Sequence, residues 1–266
     1  MDDAQTGQVT RAAAETYEAF FVPALFAEWA PRMADALRLA PGDRVLDVAC
    51  GTGVFARAAA ARVAPGGTIT GLDRNAGMLA AARRAAPALD WREGLAERLP
   101  FPDAAFDAVG CQFGLMFFED RTKALGEMWR VLRPRGRLAV AVWDAAERSP
   151  GYAAMIALLD RLFGRSVADA LRAPFVLGDP AAVQREFARA GLPAPRVETM
   201  PGSARFPSLE AWVHTDIKGW TLADMIDDTQ FAELRQAAQG ALAPFAQADG
   251  TVRFDAPAHI ASAEKA

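Results

Sequence analysis

The stretch from Val45 to Ala56, VLDVACGTGVFA, constrains this 266-residue chain more than any other. Val45, Leu46, Asp47 and Val48 form a short β-prone run that ends in small residues, and an alanine-rich segment of helical period begins at Val54. The pattern predicts a strand, a tight glycine turn and a helix N-terminus. Gly51 and Gly53 suit a turn that needs positive φ or close backbone approach, with no side chain standing where a ligand must lie. The first amides of the helix point back into the turn and carry partial positive charge suited to a carboxylate or phosphate.

Two ligand readings follow. Gly51 to Ala56 satisfies the G-x-G-x-x-G/A dinucleotide pattern, with Asp73 about 20 residues on as a ribose acid. Against a dinucleotide stands Asp47, inside the strand just before the glycines, where it repels a pyrophosphate and attracts a cation. VLDVACGTG, followed by GLDRNAGMLAAAR, EGLAERLPFPDAAFDAV and EMWRVLRPRGRLAVAVW, resembles in order and spacing the motifs of class I S-adenosylmethionine (SAM) methyltransferases. The likeness is to the small-molecule group related to ubiquinone and menaquinone biosynthesis and runs over residues 40 to 145. It implies S-adenosyl-L-methionine as cofactor and a doubly wound, Rossmann-like α/β fold. The sheet is expected to be mostly parallel and seven-stranded, with a helical cap inserted late in the chain.

The resemblance also implies a cofactor site. Asp73, at the end of the run Thr68 to Leu72, is expected to take both ribose hydroxyls, with Arg74 beside it. Asn75 caps the next helix, whose Met78 packs on adenine. Gly94, Leu95 and Ala96 follow the third strand; relatives commonly carry an acid where this chain has Leu95, so adenine recognition must rest on backbone groups and apolar packing there. Gln112 and Phe113 end the fourth strand at the carboxyl edge, where open α/β sheets place ligands, and Gln112 is expected to bond the methionine part. Residues 5 to 17 predict an amphipathic helix and 18 to 39 further helix broken at Pro23 and Pro31. The resemblance makes this region a lid that brings Tyr17 near the sulfonium, where an aromatic face holds the cation.

Strand and helix patterns alternate through Trp143, with a helix over 120–132, a turn at Arg133 to Gly136 and a strand over 137–143. After Asp144 the rhythm breaks. Helices are expected over 151–163 and 180–190, a strand over 196–200, a helical region over 208–248 and a last strand over 258–263. We therefore expect one domain: a lid (1–39), a SAM-binding core (40–145), a cap with the sixth strand (146–250) and a terminal strand segment (251–266). The cap carries Trp212, His214, Trp220, Met225 and Phe231, some of them lining an apolar substrate pocket.

Methyl transfer by in-line displacement rests mainly on positioning and exclusion of water, so no elaborate catalytic cluster is required. His214 and His259 are the only histidines; His214, in the cap, is the better candidate base. No residues stand at metal-ligand spacing. Net charge −4 offers no general attraction to nucleic acid or anionic membranes and favours a small-molecule acceptor. The opening Met1-Asp2-Asp3, without a basic-then-apolar signal, and the two isolated cysteines, Cys50 and Cys111, fit the cytoplasm. The expected function is methyl transfer to a small, partly apolar acceptor through O, N or C, by a monomer or a homodimer. An NAD-dependent oxidoreductase and a non-catalytic SAM-binding regulator are the alternatives.

Overall fold

The computed structural model describes residues 11–218 and 221–266, so the start of the expected first helix and Trp220 lie outside the described residues. Helix α1 (Arg11–Thr16) runs straight into a π-helical segment, Tyr17–Phe26, and α2 (Trp29–Ala36) follows. The core then alternates β1 (Arg44–Val48), α3 (Val54–Val63), β2 (Thr68–Asp73), α4 (Ala76–Ala85), β3 (Asp90–Glu93), β4 (Phe106–Gln112), α5 (Arg121–Arg130) and β5 (Leu132–Trp143). Beyond it come α6 (Pro150–Phe163), α7 (Arg165–Arg172), α8 (Pro180–Arg189), β6 (Arg196–Met200), β7 (Ser203–Phe206), α9 (Leu209–Lys218), α10 (Asp228–Ala241), β8 (Val252–Asp255) and β9 (Ala258–Glu264).

Seven strands form one sheet in the order β3-β2-β1-β4-β5-β9-β6, and only β9 runs antiparallel to its neighbours. The order reverses between β1 and β4. Right-handed crossovers then place α3 and α4 on one face and α5 on the other, and open a crevice at the carboxyl ends of β1 and β4. Helices on both faces explain why β1 and β4 read as nearly unbroken apolar runs: all of β1 after Arg44 and all of β4 before Gln112 are buried. Glycines let large side chains cross the sheet. A Cβ on Gly53 or Gly71 would collide with the Trp91 ring, and one on Gly110 with Phe55.

Four expectations need correction. The stretch Arg133 to Gly136 is not a turn before the strand: β5 already begins at Leu132, with a register shift opposite Phe106 and Ala108. Its partners are distant in sequence, since Arg135 and Gly136 exchange backbone bonds of 2.8 and 2.9 Å with Lys265. Helix α7 lies where no element was expected. The region 208–248 is helical as expected, but it is preceded by an unexpected strand, β7, that pairs antiparallel with β8 in a separate two-stranded sheet. Residues 251–266 thus hold two strands in two different sheets. For the strands the partner lies far along the chain, where local periodicity carries no signal.

This small sheet anchors the cap. Phe206 of β7 and Phe254 of β8 sit 5.8 and 4.7 Å from the Trp212 ring of α9, and Tyr152 of α6 meets Phe254 edge-on at 5.3 Å. Cap helices and π-helical segment together roof the carboxyl edge of the main sheet. No helix among the described residues is long and apolar enough to cross a membrane.

Candidate active site

The glycine turn is built by two buried carboxylates. Gly51 and Gly53 have φ of +53° and +85°, the left-handed region that β-carbons disfavour. Asp47 Oδ2 accepts the Ala56 N–H at 3.0 Å, while Asp73 accepts the Gly51 N–H at 2.8 Å on one oxygen and the Asn75 N–H at 2.8 Å on the other. Burial raises the pKa of both acids. In Asp73 the two backbone bonds oppose that rise. Both side chains therefore hold the loop in shape, and each Asp73 oxygen keeps a second lone pair for the expected ribose contact. Gly53 is corrected, because its missing side chain makes room for Trp91. Gly51 is the glycine that faces the roof: a Cβ there would stand 3.9 Å from Tyr17 Cε1, an ordinary contact.

Tyr17 lies across the turn. Burial first, then the carboxylates of Asp73, Glu18 and Asp47, push its phenol well above the ordinary tyrosine value. The surroundings are thus net negative and aromatic. Tyr17 stacks on Phe26 at 5.3 Å, and Met78 is buried against Tyr17, Ala14 and Ala81, so α1 and α4 close one side of the site. Asn75 caps α4 as expected, accepting the Met78 N–H at 2.9 Å. Gly94 donates to the Asp73 carbonyl at 3.0 Å and Ala96 is buried. Leu95 is 42% exposed at the rim, and Arg74 reaches outward to Glu119 at 3.8 Å.

On the far side of the crevice Gln112 donates from Nε2 to the Phe26 carbonyl at 3.2 Å, tying β4 to the roof, while its buried Oε1 has no partner among the described residues. Phe113 is held at φ +56°, a strained conformation for a non-glycine residue and a common mark of functional sites. The strain turns its ring onto Trp143, 3.9 Å away and nearly parallel.

Behind these rings lies a narrow apolar cavity with about 60 Å³ of room for the centres of water-sized spheres. Tyr17, Phe26, Phe113 and Trp143 line the end beside the cofactor crevice, and Tyr152, Phe175 and Asp216 line the cap end. Asp216 is 3% exposed. Its Oδ2 accepts Trp212 Nε1–H at 2.7 Å and its Oδ1 a long 3.5 Å contact from the Tyr152 hydroxyl. Burial pushes its pKa up to about 7 against the opposing effect of those two donors. The free thiols offer no alternative nucleophile, for burial raises Cys50 well above its usual value and Cys111 to about 12.

His214, the expected base, does not line the cavity. It is an exposed residue of α9, meeting Phe231 edge-on at 6.0 Å, two residues and about half a turn from Asp216. His259 is buried in β9, bonded to Thr199 Oγ1 at 2.8 Å and the Gly178 carbonyl at 2.9 Å, and belongs to the framework. Asp216, Tyr152 and Trp143 were missed as site residues. A signal for Asp216 did exist: it sits at i+4 from Trp212 on the buried stripe Trp212, Val213, Asp216, Ile217, where a lone acid requires a reason.

Residues 46–140 match a family described as a methyltransferase domain. This part of the chain is similar to methyltransferase domains. Over 111 residues the chain is 51% identical to a demethylmenaquinone methyltransferase of Deinococcus radiodurans, covering 40% of this chain and 45% of that protein. The chain spans about half the length of the curated relatives it matches. The fold extends further than the sequence likeness. The YcgJ protein of Bacillus subtilis superposes over 90% of this chain and 98% of its own, with a TM-score of 0.60 and 21% identity. A phosphoethanolamine N-methyltransferase of Haemonchus contortus, solved with phosphomonomethylethanolamine and S-adenosylhomocysteine, covers 96% of this chain and 57% of its own, with a TM-score of 0.61 and 17% identity.

The residues around the glycine turn have the chemistry to hold S-adenosyl-L-methionine. A sulfonium and an ammonium group suit a crevice bordered by the carboxylates of Asp47, Asp73 and Glu18, which all act on Tyr17, and by the aromatic face of Tyr17 itself. The unpartnered acceptor of Gln112 suits an ammonium donor, and the α3 amides suit a carboxylate.

Proposed function

We propose that the chain transfers the methyl group of S-adenosyl-L-methionine to a small, largely apolar acceptor, through O, N or C, in the cavity roofed by the π-helical segment and the cap. The observation that carries this reading is continuity: Tyr17 and Phe113 flank the cofactor crevice and also line the cavity. The bound cofactor supplies an electrophilic methyl carbon on a positively charged sulfur. Tyr17, Asp73, Gln112 and the glycine turn orient it. The stacked rings of Phe113 and Trp143 present a flat apolar wall to the acceptor and keep water from the reacting atoms, which favours in-line displacement.

A flat ring is the acceptor shape that such walls bind best. The relatives' name, demethylmenaquinone methyltransferase, supports a ring of that kind, although the matched relatives cover the core and not the cap that builds the cavity. Net charge −4 supports a small-molecule acceptor rather than nucleic acid or an anionic membrane surface.

The test is calorimetry with S-adenosylhomocysteine and with NAD, followed by transfer of labelled methyl groups to a panel of fused-ring hydroxy, amino and unsubstituted compounds. Binding of the first ligand, no binding of NAD and labelling of at least one panel member are expected. Tight NAD binding without S-adenosylhomocysteine binding would refute the reading, and cofactor binding with no labelling would return the chain to a regulatory role.

A further inference from the structure

We propose that Asp216 is the proton acceptor for the methylated group, and that this group is a hydroxyl carried on a flat apolar ring. The inference rests on the methyl-transfer reading of the same site. Among the described residues Asp216 is the only carboxylate lining the cavity, and Tyr17 and Tyr152 are the only other titratable residues there. The charged groups on elements packed around α9 are engaged elsewhere or exposed: Lys218 with Asp228, Arg235 with Glu210, Arg205 with Ser203, and Asp224 in solvent. A buried acid with no cation beside it has no structural pairing to account for it.

Its two oxygens are not equivalent. Oδ2 is held by the 2.7 Å bond from Trp212, which fixes the carboxylate plane, whereas Oδ1 has only the 3.5 Å contact from Tyr152 and keeps capacity for a stronger donor. Phe113, Trp143 and Asp216 line the same cavity, so a ring against the two aromatic residues shares that space with Oδ1. A neutral hydroxyl suits the site better than an ammonium group, because entering these walls costs a full charge far more hydration than it costs a hydroxyl.

In the step itself the hydroxyl proton passes to Asp216 Oδ1 as the oxygen's electron pair forms a bond to the methyl carbon. The carbon–sulfur bond breaks with its electrons on sulfur, leaving a neutral thioether, a methyl ether and a protonated Asp216 that returns its proton to water on product release. Burial also places the pKa of Asp216 at about 7, matched to proton acceptance near neutral pH.

The probes are 2-naphthol, its methyl ether and 2-naphthylmethylammonium, titrated by calorimetry into the full chain saturated with S-adenosylhomocysteine. At pH 8 the wild type should bind 2-naphthol roughly 10- to 150-fold more tightly than the ether, the span for a hydrogen bond to a charged group. That preference should fall as pH drops through about 7. Asp216→Asn keeps an oxygen for Trp212, so it should bind S-adenosylhomocysteine normally while its naphthol preference shrinks to a few-fold and loses its pH dependence. Tyr152→Phe removes one donor to the carboxylate and should move the midpoint upward, which tests the assignment even if the Asn variant does not fold.

Equal binding of 2-naphthol and its ether, a pH-dependent preference retained in Asp216→Asn, tighter binding of the ammonium probe, or no binding of any probe would each overturn the proposal. Failure of S-adenosylhomocysteine to bind the wild type would instead refute the function on which it rests.

Discussion

Asp216→Asn has a consequence for stability that is independent of any acceptor. The carboxyl is raised from its ordinary 3.8 to about 7 by burial. Between those values the folded chain holds a proton that the unfolded chain gives up, so stability falls as pH rises through this window and levels off above about pH 7. The steepest slope for one group is about 1.36 kcal/mol per pH unit, so from pH 5 to pH 8 the wild type loses about 2.7 kcal/mol through this residue. Asparagine does not titrate and keeps an acceptor for Trp212 Nε1. Relative to wild type, the variant should therefore gain about 2.7 kcal/mol between pH 5 and pH 8, or about 5 to 11 °C in Tm for a domain this size. Thermal melts of both proteins at half-unit pH intervals measure the difference, in which all other titrations cancel. A Tm gap that is flat across this range, or that narrows with pH, would refute the placement of a buried, unpaired carboxylate. A gain in stability coupled to a loss of proton acceptance is the trade expected where function keeps a charge in an apolar site.

The two glycines of the turn should respond differently. Gly53→Ala places a Cβ against the Trp91 ring in a left-handed backbone and should cost about 2 to 4 kcal/mol of stability, read as Tm. Gly51→Ala meets only an ordinary contact from Tyr17 and should cost about 1 to 2 kcal/mol, with a weaker S-adenosylhomocysteine Kd as its main effect. Asp73→Asn retains one acceptor for two backbone donors, so it should lower Tm by an amount corresponding to about 1 to 3 kcal/mol as well as weaken cofactor binding; an unchanged Tm would mean that Asp73 does not hold the turn. His259→Ala should destabilise by about 2 to 4 kcal/mol through lost packing and orphaned partners, whereas His214→Ala should stay within about 0.5 kcal/mol and leave kcat near wild type. A large kcat loss in His214→Ala would restore it as a base.

The sequence alone determined the core. From Val45 to Trp143 the alternation of apolar runs, glycine turns and helical periods is local, and a parallel sheet covered on both faces forces its central strands β1 and β4 to be buried almost throughout. The residues at the carboxyl edge followed, because the motif order fixes which strand ends share the crevice. Tertiary structure alone decided the roles that depend on a distant partner. Trp91, 38 positions away, explains Gly53. Lys265 completes the backbone of β5 at Arg135 and Gly136. Strand β7 forms only against β8, about 50 residues later. The base was the same kind of problem: His214 has the right chemistry on the wrong face of α9, and Asp216, half a turn away, faces a cavity whose other end is built by the sheet and the roof. Periodicity reports which side of an element is buried, but what that side is buried against is set by contacts between segments that the chain keeps far apart.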